Sequence, residues 1–418
     1  TLHDLQKRLP RERVEKLLES SAAAMENAAE IQDAMARPPE SGNPLGLYLH
    51  IPFCRQACVY CDFHFSTSLK YREPMVNAIL REMELQKDFF KGETLQSLYF
   101  GGGTPSVLEH EEIVALVQKA FKTFRWAENP EITLEANPDD LSQEKLTQLK
   151  AAGINRLSIG VQSFRDSDLQ FMNRSHNAEQ SISCLQNARQ AGFNNITLDL
   201  IYGLPNMDDE AWKDQVRQAL NLGVPHISSY ALTVEPRTAL HHKIEKGEHR
   251  PLDEEQAARQ FKILWEMLDK AGFEHYEVSN FARPGFRARH NSSYWQGRPY
   301  LGVGPSAHSF RAMHRYWNVS NNALYRKAIE KGELAQEYEE LSEKDRFNEY
   351  LMTALRTREG LDLLEIEKTF APEYSYYLMK EVEPVLGKGQ LHLQNRRLFI
   401  PQEWRFHSDG IAASLFYI

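Results

Sequence analysis

The sequence predicts an α/β fold in which a parallel sheet is covered by helices. Two observations predict it. Six short β-prone runs occur in order at 46–51, 95–100, 131–136, 155–161, 194–201 and 226–234, and helical periodicity fills the gaps at 73–89, 110–125, 142–152, 178–191 and 208–221. Five successive runs also end in a glycine or polar feature, and in parallel α/β folds those ends face a ligand. The period itself leaves an open sheet and a partial barrel both standing.

Ahead of the first run, residues 1 to about 34 read as helix, with Leu5, Val14, Leu17 and Leu18 among many charges. The stretch Arg37-Pro38-Pro39-Glu40-Ser41-Gly42-Asn43-Pro44 is a linker by composition. Residues 1–44 therefore form a leader, read either as a docking helix or as an appendage to a chain that starts at Met35. The first run leads into three cysteines, and the second into Tyr99-Phe100-Gly101-Gly102-Gly103-Thr104-Pro105. Leu134-Glu135-Ala136-Asn137-Pro138 closes the third run and Gly160-Val161-Gln162-Ser163-Phe164 the fourth. The fifth carries Asp199 ahead of Tyr202-Gly203-Leu204-Pro205, and the sixth carries Ser229-Tyr230-Ala231-Leu232. Beyond them, 253–272 reads as helix and 280–318 as a loop-rich, aromatic-rich segment. Helices follow at 321–335, 343–358 and 361–385, with one or two short strands within 391–406. The change of pattern divides the chain into 45–284 and a smaller, mainly helical domain at 285–418.

The formal charge of −9 argues against a general nucleic-acid binder, which carries a basic face. No stretch approaches the roughly 20 apolar residues of a membrane span. Of four cysteines, three fall between positions 54 and 61, unlike a secreted disulfide framework, so a reducing cytoplasm is expected. Cys184, within a helical pattern, reads as an inert core thiol.

The chemistry concentrates in His50-Ile51-Pro52-Phe53-Cys54-Arg55-Gln56-Ala57-Cys58-Val59-Tyr60-Cys61, a C-x3-C-x2-C loop directly after the first run. Soft thiolates select zinc, copper(I) or iron–sulfur. Three of them can cap three irons of a cubane and leave the fourth open, whereas structural zinc requires a fourth ligand such as His50 or His64. Three glycines bare the backbone to a close ligand, although such a triplet alone is also an ordinary tight turn.

The cysteine loop, with Tyr60 before its third cysteine and Gly-Gly-Gly-Thr-Pro downstream, resembles the radical S-adenosylmethionine (SAM) superfamily. Residues 46 to about 400 resemble, more narrowly, the oxygen-independent coproporphyrinogen-III-oxidase-like family. The resemblance implies a partial (β/α)6 radical SAM barrel with a smaller, mainly helical C-terminal domain. It implies a [4Fe–4S] cluster on Cys54, Cys58 and Cys61, with SAM on the open iron. Tyr48, Gly102, Gly103 and Thr104 match positions lining the methionine end of SAM, and Glu135, Gln162, Arg174, Asp199 and Ala231 match further SAM-binding positions. The chemistry implied is one-electron reduction of SAM to a hydrogen-abstracting 5′-deoxyadenosyl radical.

Two features point to the haem-chaperone branch of that family. The oxidase branch has a further cysteine two positions after the third, where this sequence has Phe63, and His290-Asn291-Ser292-Ser293-Tyr294-Trp295 matches the chaperones' H-N-x-x-Y-W. His290 is the expected haem ligand, with Tyr294 and Trp295 as flat apolar faces and Arg289 or Arg298 for propionates. The same segment also fits an aromatic domain junction. Haem is then the cargo and the partners are haem-accepting proteins, respiratory and membrane-bound among them. The location is cytoplasmic with peripheral contact at the inner membrane face, and a homodimer is compatible. The alternative is a coproporphyrinogen III dehydrogenase or related tetrapyrrole enzyme.

Overall fold

The fold is described from a computed structural model covering residues 45–418; the leader and linker read at 1–44 lie outside the described residues. The six β-prone runs are strands β1 (Leu45–Ile51), β2 (Thr94–Gly102), β3 (Arg125–Ala136), β4 (Arg156–Gln162), β5 (Ile196–Tyr202) and β6 (His226–Ala231). They pair in parallel in sequence order, so each connection is a crossover. The crossovers carry α1 (Arg72–Leu85), α2 (His110–Thr123), α3 (Gln143–Ala151), α4 (Asp166–Phe171), α5 (Ala178–Gln190) and α6 (Asp209–Asn221). Ser142, Asn177 and Asp208 cap α3, α5 and α6 by accepting backbone N–H groups that have no partner within the helix.

Buried parallel strands are usually apolar on both faces. These alternate. Leu47, Leu49, Leu98, Phe100, Leu134, Leu157, Ile159 and Leu198 are buried on one face. The intervening positions hold Tyr48, His50, Tyr99, Thr133, Glu135, Ser158 and Asp199. The six strands form a partial (β/α)6 barrel whose inner wall is polar, which suits a charged ligand rather than a packed apolar centre.

After β6 come α7 (Ala239–Glu245), α8 (Glu254–Lys270), and the hairpin β7 (Glu274–Glu277) and β8 (Asn280–Ala282), which joins β6 antiparallel. The segment read as loop-rich is ordered: it contains α9 (Arg289–Trp295), β9 (Tyr300–Val303), β10 (His308–Arg311) and β11 (His314–Asn318). Its strands are four or five residues long and lie among Pro299, Gly302, Gly304 and Pro305, too short for a period to show. β9 returns to pair in parallel with β1, and α10 (Asn322–Lys331) and β12 (Gln336–Glu340) follow. The result is one twelve-stranded sheet in the order β12-β11-β10-β9-β1-β2-β3-β4-β5-β6-β8-β7.

The division read at 284/285 therefore falls inside this sheet. The main apolar cluster runs from Leu45 to Ile329, and a second runs from Phe347 to Leu415. The second cluster is built from α11 (Glu343–Leu355), β13 (Leu361–Asp362), α12 (Leu363–Thr369), α13 (Pro372–Gly387), β14 (His392–Gln394), β15 (Arg397–Phe399) and α14 (Ser408–Ala413). The single helix read at 361–385 is broken because Pro372 has no N–H to donate and holds Ala371 extended, at φ −59° and ψ 150°.

Candidate functional site at the strand ends

The cysteine loop leaves β1 at Ile51 and is clamped along its length. Gly103 N–H donates to Ile51 O at 2.9 Å, Thr104 N–H to Phe53 O at 2.7 Å, and Cys54 N–H to Ser66 O at 3.1 Å. Farther along, Val59 N–H donates to Met172 O at 3.2 Å and Leu240 N–H to Val59 O at 2.8 Å. Gly103 permits the closest of these approaches, since a Cβ there would lie 2.6 Å from Phe53 O. Cys54 is 9% exposed, and Cys58 and Cys61 are half-buried. The Thr104 hydroxyl donates to Cys54 Sγ at 3.3 Å and Arg174 Nη1 to Cys58 Sγ at 3.2 Å. Burial pushes the Cys54 thiol up to about 11 and the Cys61 thiol up to about 12, so a bound metal must displace their protons.

Among the described residues, the one trio of His, Cys, Asp or Glu with ligand atoms within 4.8 Å of one another is His241, His242 and Glu245. At least one pair of the three cysteine sulfurs is therefore more than 4.8 Å apart, wider than the pairs of a single tetrahedral zinc with Zn–S of ~2.3 Å. A multi-iron cluster places its thiolates on separate irons and tolerates that separation.

Tyr48, Glu135, Gln162, Arg174, Asp199 and Ala231 come from five strands and one crossover, and the barrel gathers them at or below the same mouth. Tyr48 Oη is 3.3 Å from His50 Nδ1, and His50 Nε2 donates to His64 O at 3.0 Å. Burial holds His50 down to about 4, so it stays neutral, a hydrogen-bonding role consistent with its place beside the loop. Glu135 accepts from Tyr99 Oη at 2.7 Å, and burial pushes it up to about 7 against that bond and the Gly102 N–H. Asp199 is pushed up to about 8, first by burial and then by the Glu135 charge. Arg174 Nη2 donates to Asn137 Oδ1 at 2.7 Å and Gly160 O at 2.8 Å, while its buried Nε has no partner. Gly102, at φ 107°, and Gln162, at φ 65°, both stand in the left-handed region, the latter uncommon for a residue with a side chain. Ala231 ends β6, half-buried.

His290 lies elsewhere. It is 1% exposed, on the inner side of the sheet, with Nδ1 2.8 Å from Ser97 Oγ and Nε2 2.6 Å from Tyr294 Oη. Its ring stacks on Tyr99 at 5.0 Å, and a Cβ on Gly46 would lie 2.9 Å from it. Trp295 lies under the Arg356 guanidinium at 5.0 Å. The side chains that sequence reading passed over are Tyr99, which holds Glu135, and Asn137, which holds Arg174. Strand alternation signals Tyr99, since it shares a face with Ser97 and Gly101; nothing local signals Asn137.

Known proteins resemble the chain in both sequence and fold. The radical SAM superfamily model matches residues 48–219, and the HemN C-terminal domain model matches 341–406. The chain is 34% identical to the haem chaperone HemW of Mycobacterium tuberculosis, over 90% of this chain and 96% of that protein. It is 34% identical to HemW of Bacillus subtilis, over 87% and 97%. A mitochondrial radical S-adenosyl methionine domain-containing protein 1 of Mus musculus is 31% identical, over 88% and 86%. In fold, the chain matches the coproporphyrinogen III oxidase HemN of Escherichia coli with a TM-score of 0.80 over 93% of each chain, at 24% identity. Among the described residues no helix is long and apolar enough to cross a membrane. With three thiols clamped at a polar barrel mouth, and relatives matching it nearly end to end, the chain belongs to the HemW family of the radical SAM superfamily.

Proposed function

We propose that this protein binds haem and passes it to haem-accepting proteins, while carrying a [4Fe–4S] cluster on Cys54, Cys58 and Cys61 with SAM at the open iron. One observation carries the choice of haem transfer over porphyrin oxidation. Phe63, two positions after the third cysteine, presents a ring that is 50% exposed beside the loop, where the oxidase branch has a further thiol. An exposed aromatic next to the cluster suits an apolar, planar ligand and supplies no fourth sulfur.

The donor set fits the cofactors. Three thiols on one clamped loop suit a cluster with a free iron, and the unpartnered, buried Arg174 Nε suits a polar ligand at close range. Tyr48, Gly102, Gly103 and Thr104 would hold the methionine end of SAM, and Glu135, Gln162, Arg174, Asp199 and Ala231 the remainder. When bound, the cluster supplies one electron to SAM. The chain's own part is to hold Cys54 and Cys58 by the Thr104 and Arg174 donors, and to keep the mouth partly closed to water.

Anaerobic reconstitution with iron and sulfide, followed by titration with SAM and with haem, tests the proposal. The expected result is cluster absorbance that Cys58→Ser abolishes, an EPR change on adding SAM, and one Soret-active haem per chain that moves to an apo-haemoprotein. Absence of haem binding, or formation of protoporphyrinogen from coproporphyrinogen, would overturn it.

A further inference from the structure

We infer that His290 is a positioning residue for the carboxylate Glu135, acting through Tyr99, and not the iron ligand of bound haem. The inference rests on the reading of Glu135 as a SAM contact and assigns the histidine of the H-N-x-x-Y-W segment to that same site.

An iron ligand must offer a free lone pair to a planar macrocycle. His290 offers neither. Both ring nitrogens face hydroxyls, Ser97 Oγ at 2.8 Å and Tyr294 Oη at 2.6 Å. The side chain is buried within the sheet's inner wall, where Gly46 is already too close for a single added carbon, 2.9 Å from the ring. Its backbone is fixed too, because the Glu131 carboxylate accepts Arg289 N–H at 3.0 Å and His290 N–H at 3.2 Å at the start of α9.

The imidazole packs against two aromatic rings. It stacks on Tyr99 with centroids 5.0 Å apart and planes 24° from parallel, and on Tyr48 at 6.4 Å and 27°. Tyr48 and Tyr99 stack in turn at 6.0 Å. Fixing the plane of Tyr99 fixes its hydroxyl, which donates to Glu135 at 2.7 Å. Tyr48 carries its own hydroxyl to His50 beside the cysteine loop. His290 thus supports Tyr48 directly and Glu135 through Tyr99, two of the positions expected to meet SAM. Burial keeps it neutral, down to about 3, so the support is unchanged across the physiological range.

The test uses the reconstituted full-length protein, with SAM affinity by equilibrium dialysis, the SAM-dependent EPR change of the reduced cluster, and haem stoichiometry with its Soret band. Supporting partners of a bound group commonly contribute roughly tenfold in affinity. His290→Ala and Tyr99→Phe are each expected to weaken SAM by about tenfold, and the double variant also by about tenfold in total rather than a hundredfold, since both act on one hydroxyl. Haem stoichiometry and the Soret band are expected to stay as in the wild type. If His290→Ala does not fold, His290→Gln takes its place under the same criteria. A SAM affinity within twofold of wild type, a hundredfold loss in the double variant, or loss of the Soret band in the His290 variant overturns the inference. Glu135→Gln separates the two layers: if it leaves SAM affinity unchanged, the reading of Glu135 fails. If it weakens SAM and the His290 variant does not, the positioning role alone fails.

Discussion

Gly103 shows how little freedom a single position has at this mouth. Its Cα is overlaid by Phe53 O, Phe53 N and Ile51 O, so that an added methyl would lie within 2.9 Å of all three. Those are backbone atoms and cannot swing aside. Gly103→Ala is expected to displace the cysteine loop and lower iron per chain in the reconstituted protein by at least half, measured by metal analysis on soluble, folded material. Glu135 gives a pH signature. Its carboxyl holds a proton up to about 7 in the fold, against an ordinary 4.5, so folding takes up a proton between those values. The stabilisation is complete below 4.5 and is lost as pH rises through about 7. Metal-free Glu135→Gln is therefore expected to gain stability relative to wild type between pH 5 and 8, which urea denaturation at several pH values measures. The cysteine trio was legible because its donors lie on one loop of the sequence. Arg174 was legible by resemblance, but its hold on Cys58 was not, because Asn137, which steers it, lies 37 positions earlier in another crossover.

At the scale of elements, β1 to β6 and their helices follow from alternation and period because each is long enough for a pattern to repeat. The strands after α9 are not, and what orders them is a buried acid on a distant helix. Glu82, on α1, accepts from Tyr325 Oη at 2.6 Å, Asn318 Nδ2 at 2.7 Å, Gly304 N–H at 2.8 Å and Gln86 Nε2 at 3.2 Å. It ties α10, the end of β11 and the turn after β9 to the first helix of the barrel. A lone Glu in a helical pattern reads as a solvated group, and three of its four partners lie more than 200 positions downstream. Burial raises its pKa despite four donors. Glu82→Ala leaves those donors without an acceptor, and a loss of about 3 kcal/mol or more is expected by chemical denaturation. Glu82→Gln, which keeps an acceptor oxygen, is expected to lose less.

The whole molecule joins two apolar clusters through the β7–β8 hairpin. Arg405 Nη1 donates to His275 O at 2.7 Å, Gln402 Nε2 lies 2.6 Å from His275 Nδ1, and Val278 N–H donates to Arg356 O at 3.2 Å. Burial lowers the Arg405 guanidinium to about 10, so its charge is poorly compensated at the junction. Arg405→Ala is expected to loosen the C-terminal cluster first, and amide hydrogen exchange is expected to accelerate in 347–415 before the barrel responds. The change of pattern near 285 marks a shift towards short strands and loops, and those strands continue a sheet already begun. The return of β9 to β1 has a consequence for the order of events during synthesis. The strand that delivers the cysteine loop is central in the sheet, and its second neighbour is made about 250 residues after it. Until residue 303 has left the ribosome, β1 is an edge with unpaired backbone groups, and contacts of such sequence separation form late. On the proposed cluster assignment, iron loading is expected to follow translation past that point, and arrested chains ending before 300 are expected to purify without iron.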